Sequence, residues 1–477
     1  MHQSSLHRKC YLSLPRSLAA GLALTLWLLS ASRGWTQSNV LIPLHSFTNS
    51  PDGEYPVGNL VWGAGNELYG VTLGGGIYSG GASAHGGTLY KVYQDGSGYQ
   101  VLHSFSESDT SAGNYGGLPP FWFLTVIQGS DGTLYGTTYA GGTNGAGSLF
   151  KLNVDGRSGY TVLHSFGSGD ANPQSLIQGN DGALYGTCVN SAVFKINLDG
   201  SNYQVLHYFT NSVEGTGTLW DNLTQGSDGT LYSTTYEGGT NASNAGTIFK
   251  LNPDGSGFTI LHSFNGSTDG GTPIGRLLLG NDGALYGTAY GGGSSGGGTV
   301  FKLNPDGSGF TVLHTFTAAT DGSKPLAGVV QGVGNVLYGA TSTDPNSQGT
   351  IYQLNPDGSG FQVLYNLPHL SQASLLLGSF TGGSGALYGT IYLGGSGAQG
   401  LLFALLVNPP LTITPVGSQT AGNQTAVFWP SWALNYTLQT STNLANGPWT
   451  TVTNTIPVTG VQFTNHQPAA FFRLVQP

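Results

Sequence analysis

The chain has 477 residues, a formal net charge of −9 and 7% charged side chains, against about 25% in ordinary globular proteins. With only 13 Lys and Arg it lacks the cations that displace counterions from phosphates, which argues against nucleic acid as a partner. Aromatic residues at 11% argue against a disordered chain, which is built from few aromatics and many charges.

In chain order, the first feature is a basic start, Arg8, Lys9 and Arg16, followed by the apolar run LAAGLALTLWLL at 18–29 and the small residues of SASRGW at 30–35. This is the pattern of a secretory signal over 1–34, and the apolar run is shorter than the ~20 residues a membrane helix needs. Cys10 leaves with the signal, so the mature chain has one cysteine, Cys188, and no internal disulfide. No later apolar run is long enough for a membrane helix, so no transmembrane segment is expected after signal removal. The product is expected outside the cell, secreted or held at an outer surface.

The stretch NVLIPLHSF at 39–47 then reads as a strand that belongs to no complete repeat. Seven copies of one unit follow. Each carries the word LYG or a close variant, placing tyrosines at Tyr69, Tyr135, Tyr185, Tyr232, Tyr286, Tyr338 and Tyr388, 47 to 66 residues apart. Each copy reads as four strands: an apolar stretch such as SLIQG (175–179), an Asp-Gly turn, LYGTTY (134–139) or its equivalent, a Gly-rich loop, GTIFKLN (246–252), a PDGSG turn, and FTILHSF (258–264). Asp-Gly between alternating apolar residues is a strong hairpin signal, because such turns need positive φ. Four antiparallel strands per roughly 50 residues predict a blade, and seven blades predict an all-β, seven-bladed β-propeller over 39–407. The seventh copy lacks its fourth strand, so 39–47 is expected to pair beside 400–407 and close the ring.

Histidines recur in the fourth strand at His45, His103, His164, His207, His262 and His314, with Tyr365 in the remaining copy. A sevenfold ring keeps such positions apart, whereas metal ligands must meet within ~2.0–2.1 Å of the ion. They are therefore read as structural repeat residues, half-buried and hydrogen-bonded to a neighbouring turn or blade. Phe150, Phe194, Phe249 and Phe301 are expected to pack between blades, with Lys151, Lys195, Lys250 and Lys302 on the opposite strand face. The turn acids Asp254, Asp306 and Asp357 are expected to cap their own turns, and Cys188 to be a buried, inert thiol.

Function is expected in the loops that differ between copies, the Gly-rich loops after the second strand and the connections between blades, which share one face of a propeller. Candidate binding residues there are Tyr78, Tyr115, Phe121, Trp122, Trp220, Asp221, Tyr236 and Glu237: aromatics beside acids and amides, able to stack on sugar rings or grip a peptide. The alternative for the two tryptophans is that they plug blade junctions. Acids in the connections, such as Asp52, Asp269 and Asp321, fit cation binding or ordinary turn chemistry. No nucleophile elbow, His-Glu-x-x-His or EF-hand pattern is present, and no cofactor is expected.

After VNPPLTITP (407–415) the repeat words stop, and short alternating strands over 411–477 predict a small Ig- or fibronectin-III-like β-sandwich. The words DGTLYGTTYAGG, GTIFKLNPDGSG and FTVLHTF resemble the GloVer tandem-repeat family of exported bacterial proteins, described as choice-of-anchor because their C-terminal attachment regions differ. The resemblance implies export and a surface home; it brings no activity and no site residues. Three functions remain open: a non-catalytic, monomeric propeller binding a glycan, peptide or surface protein through its variable-loop face; an extracellular polysaccharide hydrolase or lyase, which requires unrepeated acids such as Asp221 and Glu237 to converge; and a scaffold without a ligand.

Overall fold

The computed structural model describes residues 39–77, 87–106, 125–156, 159–189, 192–210, 212–215, 223–342, 349–367, 381–383 and 386–407, and the strands of the C-terminal region. The expected signal (1–34) lies outside them. Residues Thr36–Pro409 form one compact unit and the segment from Pro410 another.

The first unit holds seven four-stranded antiparallel sheets, and the only helical element among the described residues is a short 3-10 turn, Val333–Asn335. Together they make a seven-bladed β-propeller arrangement. Blade 3 shows the pattern: Pro173–Gln178, Leu184–Cys188, Ala192–Ile196 and Gln204–Tyr208, each hydrogen-bonded to the next. Its second and third strands are buried throughout except at Lys195, and its fourth is half-exposed. The first strands of neighbouring blades touch, so they line the centre and the fourth strands form the rim. In the seventh sheet Val40–Ser46 lies antiparallel beside Leu401–Leu406, Val40 opposite Leu406 and Ser46 opposite Leu401, with an irregularity between Pro43 and His45.

Buried apolar side chains fall into seven clusters, one at each junction between blades. The blade 3–4 cluster joins Tyr185 and Val193 to Leu231, Phe249 and Leu251, and the blade 7–1 cluster joins Phe47, Tyr388 and Leu402 to Leu60, Leu68 and Tyr90. The period-2 alternation of each strand is what makes this possible, because it offers one apolar face to the preceding blade and one to the next. The PDGSG-type turns secure the outer edge. Gly255 (φ +85) packs so closely on blade 3 that a Cβ there would stand 2.5 Å from the Leu206 carbonyl oxygen. Gly96 of blade 1 meets Leu44 of the N-terminal strand in the same way, at 2.8 Å. Asp254, Asp306 and Asp357 cap these turns, each accepting the N–H of the serine two residues on at 2.9 Å.

The second unit contains two three-stranded antiparallel sheets. One is Thr412–Val416, Asn423–Phe428 and Gly460–Asn465; the other is Thr450–Thr451, Thr437–Ser441 and Phe471–Val475. No described helix is long and apolar enough to cross a membrane.

Candidate functional site

The two ends of the propeller are built differently. At one end, hairpin turns repeat the same chemistry. Gln128, Gln178, Gln225 and Gln331 end the first strands of blades 2, 3, 4 and 6, and each accepts a backbone N–H from the preceding or a neighbouring turn: Ala64, Ser130, Asn180 and Asn281, at 2.8–3.2 Å. Three of them donate to their own turn carbonyl at 3.0–3.1 Å. Beside them Asp181 accepts from the Tyr185 hydroxyl (2.7 Å) and from Lys195 (2.8 Å), and Asp282 accepts from Tyr286 and Lys302, both at 2.8 Å. These lysines also lie 5.1–5.2 Å over the same tyrosine rings. Side chains at this end largely satisfy one another.

At the rim, each described histidine sits between two blades. His45, His103, His164, His207, His262 and His314 stack on an aromatic ring of the following blade: Tyr99, Tyr160, Tyr203, Phe258, Phe310 and Phe361, at 3.6–4.2 Å. The phenylalanine two residues on packs edge-to-face on the third strand of that blade, as Phe264 does on Phe301 (5.3 Å). His45, His262 and His314 reach carboxylates seven residues downstream, with Nε2 3.0, 3.0 and 2.7 Å from Asp52, Asp269 and Asp321. His207 lies 3.5 Å from Glu214. The structure thus spreads the six histidines over six junctions and brings no two together. The seventh junction uses Tyr365, Leu367 and Leu41 instead.

The other end carries the variable loops. Of the eight candidate binding residues, Tyr78, Tyr115, Phe121, Trp122, Trp220 and Asp221 lie outside the described residues. Tyr236 and Glu237 follow the second strand of blade 4, Leu231–Thr235, and both are half-buried. Burial first, then the neighbouring Tyr290 and Glu237, raises the Tyr236 phenol. The Asn244 amide reaches Glu237 at 3.4 Å.

Tyr236 is one of a set. Tyr139, Tyr290 and Tyr392 occupy the same position after the second strands of blades 2, 5 and 7, and each is half-buried. At four junctions the following blade enters through a residue that precedes proline and has a left-handed backbone: Tyr55 (φ 58), Asn172 (φ 62), Thr272 (φ 51) and Lys324 (φ 56). That conformation is uncommon for a non-glycine residue, and more so for β-branched threonine. It is held by a repeated clamp. The pre-proline N–H bonds to a carbonyl of the preceding blade, Gln399, Ala146, Ala245 or Gly297, at 2.6–2.8 Å. The proline ring seats against that blade's glycine, Gly400, Gly147, Gly246 or Gly298. The four residues differ and so do their contacts. Tyr55 stacks on Tyr392 at 4.9 Å; Asn172 donates to the Tyr139 carbonyl at 2.8 Å and is 9% exposed; Thr272 accepts from the Tyr290 N–H at its carbonyl; Lys324 lies 5.8 Å over the Tyr290 ring. Burial, with Tyr55 and Glu54 adding to it, pushes the Tyr392 phenol up to about 12.

Sequence reading missed the tyrosine set, the pre-proline set and the glutamine belt. The signals were present in TTYAGG, TTYEGG and TAYGGG, in EYP, ANP, GTP and SKP, and in the QG that opens the turns at 128, 178, 225 and 331. Among the described residues no group of three His, Cys, Asp or Glu is placed to hold a metal ion. Cys188 is buried, and burial raises its thiol well above the ordinary range.

Fold and repeat define a β-propeller assembled from tandem copies of one blade. The chain belongs to the family of the Gloeobacter/Verrucomicrobia repeat, whose model matches residues 34–191 and again 187–403. No curated protein matches the sequence. Among solved structures, an oligogalacturonate lyase from Vibrio parahaemolyticus is similar at a TM-score of 0.50 and 13% identity, over 81% of this chain and 97% of that one. An oligogalacturonate lyase in complex with manganese gives 0.50 and 12%, over 81% and 96%. An extracellular domain assigned to a hybrid two component system of B. thetaiotaomicron gives 0.44 and 14%; the match takes 89% of this chain but 54% of that one, so this chain spans about half its length. At these identities the likeness concerns the fold alone.

Proposed function

We propose that this is an exported or cell-surface, non-catalytic β-propeller that binds a glycan through its variable-loop face, with residues 39–47 closing the ring and the C-terminal sheets forming a separate β-sandwich module. The observation that carries the binding role is the contrast between the two ends. The hairpin-turn end repeats one chemistry and ties its polar groups to itself. The loop end presents half-buried tyrosines at one repeated position, and the pre-proline contacts to Tyr139, Tyr290 and Tyr392 differ from blade to blade. The left-handed backbone at these residues costs of order 1–3 kcal/mol per site and is held by the clamp onto the preceding blade. Tyrosine rings offer a flat apolar face and a polar edge, which suits the CH face and hydroxyls of a sugar. Trp122 and Trp220 are proposed to add to this surface. The repeated histidines are proposed to be structural.

The experiment is a glycan array and polysaccharide pull-down with the purified chain, alongside Tyr236→Ala, Trp122→Ala and Trp220→Ala. Retention should fall at least about tenfold in Tyr236→Ala and in one or both tryptophan variants, with melting temperatures unchanged. Variants that fold and bind like the parent overturn the assignment of the face.

A further inference from the structure

Blade 3 departs from the others at the loop end. In five sheets the residue that ends the outermost strand lies beneath a Gly-rich loop. Ser46, Ser104, Ser165, Ser263 and Thr315 would stand 2.9–3.1 Å from a Cβ on Gly395, Gly76, Gly142, Gly239 and Gly293. A small side chain is what lets the loop lie so close. Most of these loops also rise from a pair of hydroxyls: Thr72 with Thr88, Thr138 with Ser148, Thr235 with Thr247 and Thr341 with Thr350, at 2.8–2.9 Å. Blade 3 has neither support. Its second and third strands, Leu184–Cys188 and Ala192–Ile196, are separated only by residues 189–191, where blade 2 has 139–147 between Thr138 and Ser148. Cys188 stands opposite Ala192 in place of the hydroxyl pair. The residue that ends the outermost strand, also opposite Ala192, is Tyr208, and it is 48% exposed. Where the loop is lost, a tyrosine replaces the small residue that the loop would cover.

The surroundings of this ring are polar. Its hydroxyl lies toward the connection entering blade 3, 3.9 Å from where a Cβ would be on Gly169, and Ser168 and Gly169 are exposed. The acid of that connection, Asp170, is engaged by the Tyr203 hydroxyl and the Gly167 N–H. Among the described residues the other exposed large apolar side chains are Ile77, Tyr93, Val162 and Val213, the first two in blade 1 and the third in blade 2. A standard protein interface takes about 800 Å² from each partner and buries a cluster of anchors. One phenol ring with polar neighbours matches a single sugar ring instead. Blade 3 also has Val189 where blades 2, 4, 5 and 7 have Tyr139, Tyr236, Tyr290 and Tyr392 after the second strand. Its loop-end tyrosine sits on the outermost strand, at the rim.

Resting on the glycan reading above, we infer that the loop end of blade 3 is a subsite over which a bound glycan chain leaves the face, with Tyr208 stacking on one of its sugar residues. The ligand is then a polymer bound along its length, not a short chain held by its end.

The test is affinity electrophoresis of the full chain through gels carrying β-glucan, galactomannan, xylan or dextran, with melting temperature and size-exclusion chromatography for every variant. At least one polymer should retard the parent, and the tetrasaccharide of that polymer should compete at least about tenfold less well than the polymer at equal sugar content. Tyr208→Ser, which brings in the residue type of Ser165 and Ser263, should lower the retardation about fivefold at an unchanged melting temperature. Tyr208→Phe should keep it. Retardation of Tyr208→Ser equal to the parent's, still lost in Tyr236→Ala, overturns the subsite and leaves the glycan-binding face standing. A tetrasaccharide that competes as well as the polymer overturns the passage of a long chain. Absence of retardation in every gel, alongside a blank glycan array, removes the face and the subsite together. A parent dimer that Tyr208→Ser converts to a monomer makes a second copy of the chain the occupant and overturns the sugar.

Discussion

Gly186 stands in the middle of the second strand of blade 3, where a Cβ would come within 2.3 Å of Phe194 Cζ and 2.4 Å of the Ser175 carbonyl oxygen. Gly136 and Gly287 meet Phe150 and Phe301 in the same way, at 2.5 and 2.4 Å. The LYG word is thus a packing device: glycine makes room for the aromatic ring that the next strand sends across the sheet. Interiors packed to crystal density cannot absorb an extra methyl without moving that ring. Gly186→Ala is expected to cost about 2–3 kcal/mol, read as a shift of the denaturant midpoint at constant m-value. Gly182→Ala is the comparison. That glycine has nothing within 4 Å, but its φ of +84 disfavours a side chain, so its cost should be lower, about 1–2 kcal/mol. A cost for Gly186→Ala no larger than that of Gly182→Ala would mean that the Phe194 ring yields to the added methyl.

At the scale of the blade, the fourth-strand histidine acts across a junction. Burial dominates its environment and lowers the pKa of His45, His164, His207, His262 and His314, against the raising effect of Asp52, Asp170, Glu214, Asp269 and Asp321. A lowered histidine pKa means that the unfolded chain takes up the proton first. The stability contributed by the neutral rings is complete above about pH 6.5 and is lost as pH falls through the folded-state values. The melting temperature should therefore drop between pH 7 and pH 5, well above the range where most carboxylates titrate. His262→Gln should shallow that slope by roughly one part in five. A flat profile over this window would show that the carboxylates fully offset burial.

Much of the blade was legible because its signals are local. Asp-Gly and PDGSG turns announce positive φ, and short apolar runs bounded by turn signals announce strands buried on both faces. The histidine's partner was not legible, because Phe310 or Tyr203 belongs to the next copy, some 40 to 50 residues away, and only the ring brings them to stacking distance. The candidate site suffered more. Tyrosines after the second strand looked like part of a repeated word, and only the contacts of Tyr392 with Tyr55 and of Tyr290 with Lys324 across junctions separate them from the core tyrosines of LYG.

At the scale of the molecule, the seam between blades 7 and 1 is made of the same parts as the other junctions. Phe47 packs on Tyr90 at 5.3 Å, His45 stacks on Tyr99 at 3.7 Å, and the Phe47 N–H bonds to the Gly400 carbonyl just as Phe166, Phe264 and Phe316 bond to Gly147, Gly246 and Gly298. What differs is covalent connectivity. The strand beside Leu401–Leu406, Val40–Ser46, comes from before the first repeat, so on the proposed closure its pairing spans the entire propeller. Loop closure grows more costly only slowly with length, and the sheet edge left by its absence would be long and apolar, a template for other chains. Removing residues 39–47 should therefore produce oligomers by size exclusion together with a lower melting temperature. A synthetic peptide of residues 39–47 added during refolding should restore the monomer. If the truncated chain remains monomeric with the parent's melting temperature, the N-terminal strand does not hold the ring. The peptide arm separates loss of the strand from general damage, because a chain damaged elsewhere gains nothing from it.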